Sequence, residues 1–259
     1  MHQLTSTRPW LPYCAPFFLY LGFLLIQSRL PTESLLYMYP VRAVAVGLCL
    51  LFFRRAYVEL RSPMLGLAPA YPVAEGAAPS ATSRWFLSVV VGLVVIVIWI
   101  GIDPYYPKLG ELLTRFSLWL GRLFGYAEPP DTPPAAPFDP TTIASPLARY
   151  GFIAFRVFGA AVVVAFMEEL FWRGFLIRWL VQEDFQKVPV GTFQRSGFLI
   201  TVVLFGLEHE QWLAGMICGA LYNWLYYRTR DVMACVVAHA VSNAALAAYV
   251  LATGEWKFW

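Results

Sequence analysis

The sequence predicts an all-α, polytopic membrane protein with about seven to eight transmembrane helices, and two observations support this prediction. First, 59% of the 259 residues are hydrophobic and only 14% are charged, whereas a soluble globular domain is about half apolar and about one quarter charged. Second, the apolar residues are gathered into runs of helical length. The net charge of +3 is small and scattered, so it gives no support to nucleic-acid binding.

The N-terminal half supplies three of the predicted spans. Residues 11–27 form the first, and because no small-residue cleavage site follows and further spans do, we expect a retained helix rather than a signal peptide. The second covers residues 39–53 and the third residues 85–102, an apolar run without a charge. Between them, residues 56–84 hold several Ala, Pro and Gly and are predicted to form a loop.

The longest connection between spans covers residues 103–148. Its first part, LGELLTRFSLWLGRLFG at 109–125, places apolar and charged residues near helical spacing and predicts an amphipathic helix on the membrane surface. The stretch EPPDTPPAAPFDPTT, from Glu128, has too many prolines for regular structure and predicts an extended linker, most simply a spacer.

The C-terminal half contains four more predicted spans, at residues 147–181, 197–209, 212–227 and 232–252. Gly215 and Gly219 are four residues apart in the third of these, a spacing that lets membrane helices approach closely. We therefore predict two regions: residues 1–146, a transmembrane region with a surface helix and a Pro-rich linker, and residues 147–259, a helical core that carries the candidate site. The cysteines lack metal-binding spacing and are predicted to be buried free thiols: Cys14, Cys49, Cys218 and Cys235.

Two adjacent acids, Glu168 and Glu169, interrupt the fourth apolar run. Ionisable residues at membrane depth cost about 2.5–3.5 kcal/mol each on insertion scales and mark functional sites by default. Glu169 and Arg173 are i, i+4 neighbours and are expected to pair on one helix face. Glu168 is turned about 100° away, so it is predicted to face a different partner.

Two of the three histidines also fall in predicted spans. His209 stands four residues after Phe205, and His239 stands four residues before Asn243, so each pair shares a helix face. With a rise of about 1.5 Å per residue, Glu168, His209 and His239 all fall near the middle third of a hydrocarbon core about 30 Å thick. We therefore expect the three side chains to meet.

Each of these polar residues also has a structural interpretation. A single intramembrane histidine, or Asn243 alone, can serve as an interhelical hydrogen-bonding residue. The pair of Glu169 and Arg173 can be purely structural, and Glu208 and Glu210 can be solvated acids at the membrane edge. The combination on three of seven predicted spans favours a functional site.

A metal site is one alternative for this combination. Glu168, His209 and His239 form a chemically possible ligand set. The zinc-protease signature HExxH is absent, however, because Leu213 stands four residues after His209.

Three motifs follow one another in this part of the chain: EExxxR at Glu168, Glu169 and Arg173, FxxxH at Phe205 and His209, and HxxxN at His239 and Asn243. In this order they resemble the motifs of the CAAX prenyl protease-related family, the intramembrane glutamate proteases whose bacterial members are often called CPBP or Abi proteins. The resemblance covers roughly residues 147–253. The neighbourhoods EHEQWLAG and YYRTRD also resemble a bacterial branch associated with exosortase-type protein sorting.

The resemblance implies a role for each motif residue. Glu168 would be the general base that activates a water, and His209 would hold or polarise that water. His239 and Asn243 would donate hydrogen bonds to the oxyanion of the tetrahedral intermediate. The supporting residues would be Glu169, Arg173 and Phe205, with no metal and no other cofactor.

The predicted function is that of an intramembrane endopeptidase of the bacterial inner (plasma) membrane. Its partners would be the lipid bilayer and a membrane-anchored peptide or protein substrate, which need not be prenylated, and not a nucleic acid. The main alternative is a non-catalytic scaffold or accessory factor of a protein-sorting system that uses the same polar cluster for packing. A transporter is a more distant alternative, since the sequence shows no pair of symmetric broken helices.

Overall fold

The computed structural model describes residues 7–124 and 137–259, and within them eight long helices make up most of the chain. They are α1 Leu11–Gln27, α2 Leu35–Phe53, α3 Ala81–Ile102, α4 Leu109–Phe124, α5 Pro146–Trp179, α6 Arg195–Leu207, α7 Trp212–Thr229 and α8 Val232–Thr253. No strand occurs in these ranges, where the β-structure is limited to an isolated parallel bridge between Val73 and Val190. The predicted all-α class is confirmed.

Each predicted span coincides with a helix, although the helix starts are set by capping residues rather than by the apolar runs. The hydroxyl of Ser80 accepts a hydrogen bond from the Ser83 amide, so α3 begins about a turn before the apolar run. The carboxylate of Asp231 accepts from the Met233 amide at 3.0 Å and starts α8 in the same way. These caps satisfy amides that a helix start would otherwise leave unpaired.

Four stretches of helix are long and apolar enough to cross a membrane by length and composition, within α2, Ala81–Phe124, α5 and α8. Helices α1 and α6 are apolar but shorter, with 17 and 13 residues. The predicted number of about seven to eight spans is thus larger than the four that meet these criteria in the described ranges. The remaining predicted spans are nevertheless helical at the predicted places.

Helix α5 contains two π-helical segments, Gly159–Val164 and Leu170–Leu176, with one α-helical turn, Ala165–Glu169, between them. π-Segments are rare and occur frequently at functional sites. The two adjacent acids lie in the turn that these segments enclose. At the first segment a Cβ on Gly159 would lie 2.6 Å from Tyr39 Oη, so glycine permits the close approach of α2.

Close helix contacts depend on glycines in α6 and α7. A Cβ on Gly215 would lie 3.0 Å from the Cα of Gly206 on α6, and one on Gly219 would lie 3.3 Å from Phe205 Cβ. The predicted close packing at Gly215 and Gly219 is therefore confirmed. It brings α7 against the part of α6 that contains Phe205.

The connection before α5 agrees in part with its prediction. Helix α4 corresponds to the predicted amphipathic helix, and none of its residues is buried. Its placement on the membrane surface stays a prediction. Most of the predicted Pro-rich linker lies outside the described residues, at 125–136.

The predicted loop at residues 56–84 ties the N-terminal helices to the C-terminal ones through buried ion pairs. Glu59 accepts from Arg178 of α5 at 2.5 Å, and Arg84 at the start of α3 donates to Asp231 at 3.0 Å. Both pairs are buried. The loop is therefore fixed at both ends against the core.

Candidate active site

A cavity of about 400 Å³ opens between α3, α5, the α6–α7 turn, α7 and α8. Five of the seven predicted site residues line this cavity, and the two others lie behind it. Glu169 and Arg173 are the residues that do not line it, and both are fully buried. The lining residues among those predicted are Glu168, Phe205, His209, His239 and Asn243.

Glu168 faces this cavity from α5. The residue is only 4% exposed, and its Oε2 is buried without a hydrogen-bond partner. His239 Nε2 lies 4.0 Å from this oxygen. The predicted separation of the two acids is therefore found: Glu168 is left unpaired.

Glu169 and Arg173 form the predicted i, i+4 ion pair, with Oε1 and Nη1 3.0 Å apart. Arg173 also donates to Asn223 Oδ1 at 3.1 Å and to the Gly219 carbonyl at 3.2 Å, both on α7. Asn223 in turn donates to Thr201 Oγ1 of α6 at 2.8 Å. The pair thus anchors a buried network that joins α5, α6 and α7.

His239 of α8 is oriented by the same network. Its Nδ1 lies 2.9 Å from Glu169 Oε1, and because a carboxylate can only accept, Nδ1 carries the proton of this bond. The ring lies against Tyr222, with centroids 5.3 Å apart. The other nitrogen, Nε2, is therefore directed towards Glu168 and the cavity.

His209 lies in the turn that follows α6, not within a membrane helix as predicted. Helix α6 ends at Leu207, and the His209 amide bonds to the Gly206 carbonyl three residues back as the chain tightens towards α7. Its Nδ1 donates to the Phe205 carbonyl at 2.7 Å, which leaves Nε2 as an acceptor when the ring is neutral. Trp99 of α3 meets this ring edge to face at 5.3 Å.

Asn243 lies one turn after His239 on α8, as its spacing predicts. Its Nδ2 donates to the Ala160 carbonyl at 2.8 Å, an oxygen of the first π-segment of α5. An amide nitrogen has two hydrogens, so a second donor remains for the cavity.

Sequence reasoning missed several residues of the cavity, of which Glu208 is the most consequential. It was expected to be a solvated acid at the membrane edge, but both of its carboxylate oxygens are buried without a hydrogen-bond partner and its side chain lines the cavity. Glu210, by contrast, is exposed, and its Oε2 accepts from the Gly110 amide of α4 at 3.0 Å. The one feature of the sequence that could have indicated a place for Glu208 on the cavity is its position directly before the motif histidine, His209.

The end of the chain also contributes to the cavity. Lys257, Phe258 and Trp259 line it, and Lys257 Nζ pairs with Asp103 at 3.1 Å. The hydrogen bond to Asp103 raises the pKa of the Lys257 ammonium, so the pair persists through the neutral range. Within residues 7–124 and 137–259, no three His, Cys, Asp or Glu side chains are grouped so that they could hold a metal ion.

An apolar helical bundle with an unpaired carboxylate and two histidines on one cavity defines a membrane-embedded protein with an internal polar site. Residues 150–245 match the family model described as type II CAAX prenyl endopeptidase Rce1-like. This is the family that the three motifs resemble, and the matched interval contains all seven predicted site residues. A search of curated proteins and a search of solved structures each gave no match.

Proposed function

We propose that this protein is an intramembrane endopeptidase in which Glu168 activates a water to hydrolyse a peptide bond of a membrane-associated protein or peptide. One observation carries the proposal: Glu168 is buried, unpaired and open to a cavity of about 400 Å³, while its neighbour Glu169 is neutralised by Arg173. A carboxylate without a partner in apolar surroundings is available to take a proton. The match of residues 150–245 to a family model of endopeptidases supports the same reaction class.

The attacking water would lie between Glu168 and His209. Glu168 Oε2 would remove its proton, and His209 Nε2, the acceptor nitrogen of the ring, would orient the other hydrogen. The hydroxide would then add to the scissile carbonyl carbon to form a tetrahedral oxyanion. Holding water and base in one cavity removes much of the entropic cost of this step.

Two donors on α8 would stabilise the oxyanion. Asn243 retains an amide hydrogen beyond the one given to Ala160, and His239 would donate from Nε2 when the ring carries both protons. The carboxylate of Glu169, at 2.9 Å from Nδ1, holds the ring in the orientation that this donation requires. A single oxyanion-hole donor is worth about 10²–10³-fold in rate in a well-studied protease.

The substrate and location are also proposals. The apolar helices support an integral membrane protein. A bacterial inner membrane as its location and a membrane-anchored protein or peptide as its substrate are parts of the proposal. A prenyl group on that substrate is not part of the proposal, nor is a partner nucleic acid. The association with exosortase-type sorting rests on the EHEQWLAG and YYRTRD neighbourhoods alone.

The proposal is tested with Glu168→Gln in proteoliposomes, scored for thermal stability and for cleavage of a library of membrane-anchored, quenched-fluorescent peptides. Glutamine keeps the shape and removes the base, so we expect cleavage to fall by about 10²–10⁴-fold while the protein stays folded. The matched control is Glu183→Gln. Glu183 is an exposed acid that does not line the cavity, so this variant should cleave as the wild type does. Undiminished cleavage by Glu168→Gln would refute the role of this residue.

A non-catalytic membrane scaffold is the second candidate function. The network of Glu169, Arg173 and Asn223 links three helices and would serve packing equally well. If the protein is a scaffold, the wild type should cleave no member of the library, and Glu168→Gln should change only the melting temperature.

A further inference from the structure

Glu208 is a second acid on the candidate cavity, and it has no structural partner. It lies in the α6–α7 turn, one residue before His209, and both of its oxygens are buried without a hydrogen bond. The indole N–H of Trp172 is also buried without a hydrogen-bond partner. A buried polar group without a partner costs free energy, so its presence calls for a role.

The two acids line the same cavity from different elements, Glu168 from α5 and Glu208 from the α6–α7 turn. Each has a buried carboxyl oxygen without a hydrogen-bond partner. Arg173 is bonded to Glu169 and not to this pair. The basic group beside the pair is His239, with Nε2 4.0 Å from Glu168 Oε2, beyond hydrogen-bond distance.

The other basic residues of the cavity do not complete this pair. Lys257 is held by Asp103 and Glu255. Arg156 packs over the rings of Tyr39 and Trp259, and it precedes Glu168 by twelve residues, roughly 18 Å along the helix axis. Two neighbouring buried carboxyl groups in this setting cannot both be ionised at low cost, so the pair retains a proton.

From this arrangement we propose that Glu208 is a second catalytic residue, the general acid that protonates the leaving amine while Glu168 serves as the base. The proposal rests on the proposed function and extends it. It divides the two proton transfers of peptide hydrolysis between two carboxyl groups, as two acids in different environments commonly do in hydrolases.

The proton balance of the reaction closes with these two residues. Ionised Glu168 takes a proton from water as the new C–O bond forms, and the carbonyl π electrons move onto the oxygen. Protonated Glu208 gives its proton to the amide nitrogen as the C–N bond breaks, which releases an amine and a carboxylic acid. The proton on Glu168 then passes to Glu208, directly or through a water, and restores the starting state.

The histidines are less suited to this second step. The Nδ1 proton of His209 is given to the Phe205 carbonyl, and its Nε2 faces the cavity as an acceptor. The Nδ1 proton of His239 is given to Glu169, and its Nε2 is assigned to the oxyanion. Neither ring has a free proton for the leaving group, whereas the acid pair does.

The test compares two matched peptides in proteoliposomes: an amide substrate selected with the wild type from the quenched-fluorescent library, and its depsipeptide with an ester at the scissile bond. An alcohol leaves without prior protonation far more easily than an amine, so ester cleavage needs the base but much less of the acid. The measured quantity is the ratio of amide to ester kcat/KM. Because both rates come from one preparation, this ratio does not depend on the fraction of protein that is folded.

We expect Glu208→Gln to lower the ratio by at least about 50-fold, and Glu208→Asp, which keeps the proton, to leave it within about fivefold of wild type. Glu168→Gln should lower both rates together, and the Glu183→Gln control should change neither. An unchanged ratio in Glu208→Gln would overturn the role of Glu208. If Glu168→Gln still cleaves both peptides, it is the proposed function itself that fails, so the two failures are distinguishable.

Discussion

Arg173 shows at the level of a single residue how the buried charges of this protein are accommodated. It is fully buried, yet its guanidinium bonds to Glu169, to Asn223 and to the Gly219 carbonyl. Its charge lies 4.9 Å from the centre of the Phe205 ring, which adds a cation–π contact. One cation is thus surrounded by acceptors from two helices, and Glu168 stays outside this ion pair.

Replacing Arg173 by Met is expected to destabilise the fold strongly. The change leaves the Glu169 carboxylate buried with only His239 as partner, and breaking a buried ion pair in this way costs about 3–5 kcal/mol. The free energy of unfolding in mixed detergent–SDS micelles measures the loss. Arg195→Met, an exposed arginine, should stay within about 0.5 kcal/mol of wild type; equal effects of the two changes would contradict the account.

The sequence predicted the motif residues and their pairing well, because i, i+4 spacing fixes which side chains share a helix face. It did not predict the partners that come from other elements. Asn223 and Trp99 contact the motif residues only through the packing of α7 and α3. Glu208 was misjudged because spacing alone cannot tell whether a residue in a turn points to solvent or into a cavity.

At the scale of the helices, α5 positions the site through its changes of helical type. The first π-segment carries the Ala160 carbonyl, which accepts from Asn243 Nδ2 of α8 at 2.8 Å, and the turn after it carries the two adjacent acids. The apolar pattern predicted one long span here, residues 147–181, and α5 covers nearly that range. The π-segments could not be predicted, because they follow from tertiary contacts and not from periodicity.

Helices α3 and α8 pack closely at Gly92. A Cβ at this position would lie 2.5 Å from the Ala238 carbonyl and 2.8 Å from Val241 Cβ. Gly92→Ala is therefore expected to destabilise the protein by about 1–3 kcal/mol and to displace His239, which is on the same helix, α8.

Gly101 provides the matched control for Gly92 within α3. A Cβ there meets nothing within 4 Å, so Gly101→Ala should be neutral or stabilise by up to about 1 kcal/mol. Thermal unfolding of the two variants in the same detergent compares them. If Gly92→Ala melted as late as Gly101→Ala, the close approach of α3 and α8 would be refuted.

At the scale of the whole molecule, the N-terminal half completes the cavity that the motifs of the C-terminal half define. Tyr20, Tyr39 and Trp99 line it from α1, α2 and α3. The buried pair of Glu59 and Arg178 joins the two halves, and Tyr13 donates to Glu59 at 2.7 Å. The division at residue 146 into a transmembrane region and a catalytic core stays a prediction.

The sequence could not reveal this shared construction. The first 146 residues carry apolar runs and no recognisable motif. Their helices could therefore be predicted along the sequence, but not where they pack in the folded protein. Which helices meet is decided by small residues, buried ion pairs and loop contacts between distant positions. Those contacts become visible only in the folded chain.

The central claim is that Glu168 and His209 act on one water in the cavity, and a double-variant comparison tests it most directly. The measurement is the cleavage rate of Glu168→Gln with His209→Asn, set against each single change in proteoliposomes with the same peptide. Residues that act as a unit are non-additive, so the double variant should fall no lower than Glu168→Gln alone. Two results would contradict the account. In one, the loss of cleavage rate in the double variant equals the product of the losses in the two single variants. In the other, Glu168→Gln cleaves at the wild-type rate.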